Sequence, residues 1–103
     1  MAYQVVITRK AENDLYQAID YIAYELQSLP AAKRLAQKLK TGMESLKEMP
    51  YRHPLIKDQL MAAFDFRMLT IENYAIFYKV IEETNTVIIS RILYIKSNWQ
   101  TLL

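Results

Sequence analysis

The sequence predicts an α+β fold of two layers, in which a pair of helices packs on one face of a small sheet built around an antiparallel meander. Three observations lead to this prediction. Residues 74–81 are almost entirely apolar or aromatic, which is typical of a central strand buried on both faces. Short turn sequences flank this run, and β-branched residues are again frequent after the second turn. Earlier in the chain, apolar residues recur at three- and four-residue steps, as they do in amphipathic helices.

The second half of the chain predicts a three-stranded antiparallel meander. Residues 64–68 alternate apolar and polar, as expected of a half-exposed strand, and residues 86–93 form the last strand after the central one. Glu72 and Asn73 make the first turn, and residues 83–85 make the second. Both turns are short enough to join neighbouring antiparallel strands directly.

The first half predicts a strand followed by an antiparallel helical hairpin. Residues 3–8 are rich in β-branched residues, and Thr8 is well placed to cap the first helix. Pro30 suits the first turn of the second helix. Gly42 weakens that helix by about 1 kcal/mol relative to alanine, or marks a close approach to the first helix. The element order is β-α-α-β-β-β, and we expect the first strand to pair with the last.

Composition limits the classes of function. The chain of 103 residues is the size of one domain, here residues 1–103, and its formal charge is +2. It has no cysteine and one histidine, so we expect neither a metal nor a cofactor. That histidine, His53, falls in an irregular connection after Pro50 and is predicted to be a surface residue. The absence of cysteine makes a reducing cytoplasm the simplest location, and no apolar run approaches the roughly 20 residues of a membrane span.

Motifs spread over almost the whole chain resemble one protein family, the RelE/ParE superfamily of bacterial toxins from type II toxin–antitoxin modules. Each motif is mostly core patterning, and their order carries the resemblance. The motifs are Tyr3-x-Val5-x-Ile7-Thr8, Ala11-x-x-Asp14-Leu15, Tyr21-Ile22, Leu46-x-x-x-Pro50, Phe66-Arg67, Asn73-Tyr74-x-Ile76-Phe77-Tyr78-x-Val80, Arg91-Ile92-Leu93 and Asn98-Trp99-x-x-Leu102-Leu103.

The resemblance implies a RelE/ParE-like fold, which agrees with the order derived above. It also implies a toxin that arrests growth, with functions such as plasmid stabilisation, and a cognate antitoxin that neutralises it. Because this chain is mildly basic, an acidic and partly disordered antitoxin segment would suit it. Such a segment is expected to cover Arg67 and Arg91, or to displace the terminal segment around Trp99.

Members of the superfamily differ in target, and two targets are open here. ParE-like toxins act on DNA gyrase, whereas RelE-like toxins resemble ribosome-dependent, metal-independent mRNA endonucleases. Such cleavage needs a base, an acid and a group that stabilises the charge on phosphorus. The candidate catalytic residues are Arg67, Arg91 and Tyr94. Where RelE-like enzymes carry a basic residue on the central strand, this chain has Ala75, which favours the gyrase target.

Lys79, Lys96 and Trp99 are candidates for contacting the target. We expect the two candidate arginines to form a cationic patch on the sheet face that the helices leave uncovered, and the terminal segment to fold back against the sheet edge. The alternatives are structural salt bridges from the arginines to Asp65 or Glu72 and a merely packed Tyr94. A non-toxic protein-interaction domain is the third class of function.

Overall fold

A computed structural model describes residues 2–56, 64–97 and 99–102. Its sheet has the strand order β1-β4-β3-β2, in which β1 runs parallel to β4 and the other neighbours are antiparallel. The elements are β1 (Gln4–Ile7), α1 (Arg9–Asp20), α2 (Leu29–Ser45), β2 (Arg67–Ile71), β3 (Tyr74–Ile81), β4 (Thr86–Tyr94) and a short α3 (Trp99–Leu102). The predicted element order, the meander and the pairing of the first strand with the last are confirmed.

The helices cover one face of the sheet, as predicted. The main core lies between this face and the two long helices, and Tyr78 at the centre of β3 has no exposed surface. Its hydroxyl donates a hydrogen bond to the Pro50 carbonyl oxygen at 2.6 Å, so the buried polar group is satisfied. The completely or almost completely buried core residues here are Ala11, Leu35, Leu39, Leu46, Ile76, Tyr78, Val87, Ile89 and Ile92.

Both helix starts carry the side-chain caps that satisfy free backbone N–H groups. The Thr8 hydroxyl accepts from the Ala11 N–H at 3.2 Å, as the sequence predicts. The Ser28 hydroxyl accepts from the Ala31 N–H at 3.4 Å, with Pro30 in the first turn of α2. Between the helices the chain makes one π-helical turn, Tyr21–Glu25, which the apolar periodicity does not predict.

Gly42 allows α2 to approach the sheet, not the other helix. A Cβ atom built on this glycine would lie 2.9 Å from Cδ1 and 3.2 Å from Cγ1 of Ile71, a residue of β2. The prediction of a close helix–helix approach at this position is therefore wrong, because the missing side chain makes room for β2.

The first strand of the meander begins later than predicted. Phe64 and Asp65 form a turn, and Asp65 adopts a φ of 56°, which interrupts an extended strand. The strand starts at Arg67, where an isolated bridge to Leu55 supplies a partner on its outer side. The predicted two-residue turn after β2 is confirmed, with Glu72 at a φ of 53°.

The central strand is buried on both faces, as predicted. Between Phe77 and Tyr78 the pairing with β4 shifts by one residue, which marks a β-bulge. The face opposite the helices, called the uncovered face below, carries its own apolar cluster. Its members are Ile56, Phe66, Met68, Ala75, Phe77, Leu93 and Trp99.

Candidate functional site

The terminal segment folds back onto the uncovered face. The rings of Trp99 and Phe77 lie 5.1 Å apart at an interplanar angle of 34°. The predicted return of this segment to the sheet is confirmed, although the tryptophan contacts the central strand rather than an edge. It therefore covers apolar surface that a sheet with helices on one face would otherwise leave exposed.

Arg91 on β4 is held by a carboxylate of α1. Its Nε and Nη2 atoms lie 2.7 and 2.9 Å from the Oδ2 and Oδ1 atoms of Asp14, a bidentate pair in which both side chains are largely buried. The third nitrogen, Nη1, donates to the Leu102 carbonyl oxygen at 2.6 Å. The hydrogen bond that Asp14 accepts from Arg91 raises the pKa of Arg91, so the guanidinium stays charged and paired.

Asp14 also satisfies backbone that the first strand leaves free. Pairing between β1 and β4 ends at Ile7 and Ile89, so the later part of β4 has no strand on that side. There the Ile92 N–H donates to Oδ2 of Asp14 at 3.0 Å. The salt-bridge alternative for Arg91 thus holds, but with Asp14 and not with Asp65 or Glu72. The sequence signal for this role of Asp14 is its place in the motif Ala11-x-x-Asp14-Leu15.

Arg67 lies in a different environment. It pairs with Tyr78 in the antiparallel register, and residues directly opposite each other share a face, so its side chain leaves the sheet on the helix side. Its Nη1 atom donates to the His53 carbonyl oxygen at 2.8 Å, and Cζ lies 4.9 Å from the ring centre of Tyr51. Among the described residues no carboxylate forms an ion pair with it.

The two arginines therefore do not form one patch. Arg91 pairs with Phe77 in the sheet and starts from the uncovered face, whereas Arg67 starts from the helix side. The prediction that both guanidinium groups lie free on the uncovered face is wrong. The physical reason is that successive side chains of a strand point to opposite faces of the sheet. The bulge next to Phe77 sets the register that decides the face of Arg91, and the sequence does not reveal it.

The other candidate residues are also divided between the faces. The Lys79 ammonium lies 4.8 Å from the ring centre of Phe66, a member of the apolar cluster on the uncovered face. Tyr94 is 40% exposed on the helix side, where its ring lies 5.5 Å from that of Tyr74. Lys96 follows β4 and is exposed.

Tyr94 opens onto a groove of about 500 Å³ at the end of the helical hairpin. Its wall is formed by Tyr21, Ile22 and Leu26 from the π-helical turn and its end. Burial raises the pKa of Tyr74 on the groove floor. A basic side chain does not line this groove in the described part of the chain, so nothing there would activate a phenol.

His53 is a residue whose environment the sequence did not indicate. Its ring packs edge-on against Tyr78 with centres 6.4 Å apart, and its Nε2 atom is buried without a hydrogen-bond partner among the described residues. Burial, followed by the nearby charge of Arg52, lowers the pKa of His53. The predicted surface histidine is thus half-buried, and part of the connection that carries it, residues 57–63, lies outside the described residues.

The described helices include none long and apolar enough to cross a membrane. Within residues 2–56, 64–97 and 99–102, the carboxylates and the histidine do not gather into a group that could hold a metal ion.

Several solved structures share this fold. The chromosomal ParDE system of Pseudomonas aeruginosa contains a chain that is 20% identical, with a TM-score of 0.74 over 92% of this chain and 98% of that one. The RelBE2 complex of Mycobacterium tuberculosis contains a chain that is 22% identical, with a TM-score of 0.64 over 91% of this chain and 92% of that one. A double arginine-to-alanine mutant of Escherichia coli RelE in the free state is 17% identical, with a TM-score of 0.65 over 99% of this chain and 93% of that one.

No curated protein shows a significant sequence match to the chain. The family model of the ParE toxin of the type II toxin–antitoxin system parDE matches residues 5–99, which is nearly the full length. Together with the fold, this match identifies the superfamily that the sequence motifs resemble. The chain belongs to the ParE toxin family of type II toxin–antitoxin systems.

Proposed function

We propose that this toxin arrests growth in the ParE manner, by binding and inhibiting DNA gyrase, and that it does not cut RNA. The observation that carries the proposal is the state of Arg91. Its guanidinium donates to both oxygens of Asp14 and to the Leu102 carbonyl, so its donors are directed at the protein itself. A phosphate would have to compete with a partly buried carboxylate for the same nitrogens.

The remaining candidates do not complete a nuclease site around this arginine. RNA cleavage without a metal needs its acid, base and charge-stabilising group within hydrogen-bond reach of one phosphate. Arg67 donates to loop carbonyl oxygens on the helix side, and Tyr94 faces a separate groove there. Ala75, buried in the apolar cluster of the uncovered face, contributes no cation. This separation supports binding rather than catalysis.

For the surface that contacts the target, we propose the region around the end of β4 and the terminal helix. Lys96 is exposed there, Trp99 is partly exposed, and Lys79 lies on the same face of the sheet as the tryptophan. Aromatic rings and cations are frequent in the parts of interfaces that contribute most to binding. Lys96→Ala should therefore reduce toxicity without changing the fold, because this side chain has no structural partner in the described part of the chain.

A cognate antitoxin is the proposed regulator of this toxin. The two neighbours named above as ParDE and RelBE2 come from toxin–antitoxin systems. With a formal charge of +2, this chain suits an acidic and partly disordered segment that folds on binding. We propose that this segment covers the Arg67 and Arg91 regions or displaces the terminal segment at Trp99.

Expression in a bacterium that lacks the antitoxin tests the proposal. Growth arrest with induction of a DNA-damage (SOS) reporter, and with intact cellular mRNA by primer extension, is the expected result. Codon-linked mRNA cleavage would overturn it and support the alternative, a RelE-like ribosome-dependent endonuclease. Undisturbed growth with normal protein levels would leave the third class, a protein-interaction domain without toxicity.

A further inference from the structure

The two outer edges of the four-stranded sheet differ in how they are covered. At β2, the chain covers its own edge, since the Ile56 N–H donates to Phe66 O at 2.9 Å and the Met68 N–H to Pro54 O at 3.3 Å. At β1 such cover is limited to the residue before the strand, where the Tyr3 N–H donates to Lys47 O at 2.8 Å, and no described segment pairs with Gln4–Ile7 on their outer side. An uncovered edge strand is a template for pairing with another strand.

The free groups of β1 can be identified from its pairing with β4. Gln4 N–H donates to Asn85 O at 2.9 Å and Thr8 N–H to Ile89 O at 3.1 Å. In a parallel ladder alternate residues bond to the same neighbour, so Val5 and Ile7 direct their N–H and C=O groups away from β4. In the described part of the chain these groups have no hydrogen-bond partner.

Apart from its short length, β1 lacks the features that usually protect an edge strand. Its sequence, Gln-Val-Val-Ile, contains no charge and no proline, and its pairing with β4 contains no bulge. Val6 is 41% exposed on the uncovered face. The strand is only four residues long, which limits but does not prevent pairing.

A shallow groove of about 310 Å³ runs beside this edge on the helix side. Its floor is apolar and includes Leu15 and Met43, with the half-exposed ring of Tyr16 at its border. The charges that line it are two acidic and two basic side chains: Glu12, Glu44, Lys40 and Lys47. The rim is therefore neutral overall, although the outer side of α2 is otherwise strongly basic.

We propose that β1 is a self-association edge, at which two copies of this chain pair their β1 strands antiparallel about a two-fold axis. With Val6 opposite its own copy at the axis, Val5 faces Ile7 of the second copy and Ile7 faces Val5. Each of these pairs exchanges two backbone hydrogen bonds, which makes four in all. The two sheets then continue as one sheet of eight strands.

The same symmetry brings the two grooves together. A two-fold axis perpendicular to the sheet keeps both helical hairpins on the same side, so each apolar floor meets its equivalent and Tyr16 becomes buried. An interface of this kind must be complementary to itself. A rim that carries both acidic and basic groups allows unlike charges to pair across the axis, whereas a uniformly acidic or basic partner would meet repulsion from half of it.

Sedimentation equilibrium of the purified full chain tests the proposal, with protein concentrations from micromolar to millimolar. The expected result is a reversible rise from monomer to dimer mass. Val6→Lys places two like charges opposite each other at the axis and should raise the dissociation constant at least about tenfold. Thr70→Lys, a change at an exposed position of the other edge strand, serves as the matched control and should leave the constant unchanged.

A charge-reversal pair gives a second readout that does not depend on the strand itself. The double variants K40E/K47E and E12K/E44K should each stay monomeric, because every rim charge then has one sign. Mixed in equal amounts, they should form a heterodimer. A wild-type chain that stays monomeric throughout, a V6K variant that dimerises like wild type, or a mixture that fails to associate would each overturn the proposal. None of these readouts involves toxicity.

Discussion

Asp14 of α1 and Arg91 of β4 form a bidentate ion pair that closes the part of the sheet that β1 does not reach. The carboxylate accepts the Arg91 Nε and Nη2 groups at 2.7 and 2.9 Å and the Ile92 backbone N–H at 3.0 Å. The Asp14 side chain is 9% exposed and that of Arg91 19%. One carboxylate therefore joins helix to strand, caps a free N–H group and occupies a cation that a nuclease would need.

Asp14→Asn should destabilise the fold markedly. The variant keeps the shape of the side chain but leaves a largely buried guanidinium without a counter-charge, which typically costs about 3 kcal/mol of unfolding free energy. The midpoint of urea unfolding measures the change. Glu72→Gln is the matched control, because Glu72 pairs with Lys38 at 2.9 Å in an exposed position and should cost about 0–1 kcal/mol. Equal losses for the two variants would contradict this account of Asp14.

Gly42→Ala should lower the free energy of unfolding even though alanine favours a helix. The gain in helix propensity is about 1 kcal/mol, whereas the new Cβ atom would stand 2.9 Å from Cδ1 of Ile71 and force it to move. Overpacking of this kind costs about 1–3 kcal/mol. Adding Ile71→Val removes the Cδ1 atom, so the double variant should be more stable than the sum of the two single changes predicts. Thermal and urea unfolding of the four proteins in this cycle provide the measurement.

We expect the half-buried imidazole of His53 to cause a loss of stability in mild acid. Its pKa in the folded protein is lower than the ordinary value of 6.5, so the unfolded chain takes up a proton first. The contribution of His53 to the free energy of unfolding is therefore fully present above pH 6.5 and decreases as the pH falls below that value. His53→Phe keeps a ring against Tyr78 and removes the titrating group, so its stability should change less between pH 7.5 and 5. Identical pH dependence in both proteins would contradict this interpretation.

Tyr78 predicts the opposite behaviour in alkali. Burial raises its pKa to about 12 from the ordinary value of 10.0, so the folded protein resists its ionisation. Stability from this group is present below pH 10 and is lost as the pH rises towards 12. Tyr78→Phe should cost about 1 kcal/mol at pH 8 through the lost bond to Pro50 O, but decline less steeply from pH 10 to 12. Stability curves of wild type and variant measured over this range provide the test.

Tyr51 supplies the control for that experiment. The hydrogen bond from its hydroxyl to the Glu82 carboxylate raises the pKa of Tyr51 to about 12 as well, but its side chain is exposed. Solvent screens the interaction, so Tyr51→Phe should change the alkaline slope much less than Tyr78→Phe. A larger effect at the exposed tyrosine would indicate that burial is not what governs the alkaline transition.

Much of this fold could be predicted because the chain is locally consistent. The apolar run Tyr74–Ile81 has no polar stripe and must be covered on both faces, and Thr8 and Pro30 mark two helix starts. The start of β2 could not be predicted, because Asp65 adopts a positive φ and Leu55 supplies the first bridge from a distant segment. The partner of Gly42 could not be predicted either, since it depends on how α2 lies over the sheet.

The candidate site was less predictable than the fold. Sequence alone placed Arg67 and Arg91 on meander strands, but the direction of a strand side chain depends on register. The bulge at Phe77/Tyr78 changes that register within β3 and β4, and no residue in the sequence marks it. The partner of Arg91, Asp14, is 77 positions away in the chain, so only the packing of α1 against β4 brings the two together.

The central claim is that this toxin acts by binding gyrase and not by cutting RNA. Purified protein added to DNA gyrase, ATP and relaxed plasmid tests it most directly, with programmed ribosomes and mRNA incubated in parallel. The expected result is loss of supercoiling with accumulation of double-strand breaks, while the mRNA stays intact. Normal supercoiling together with cleavage of ribosome-bound mRNA would contradict it.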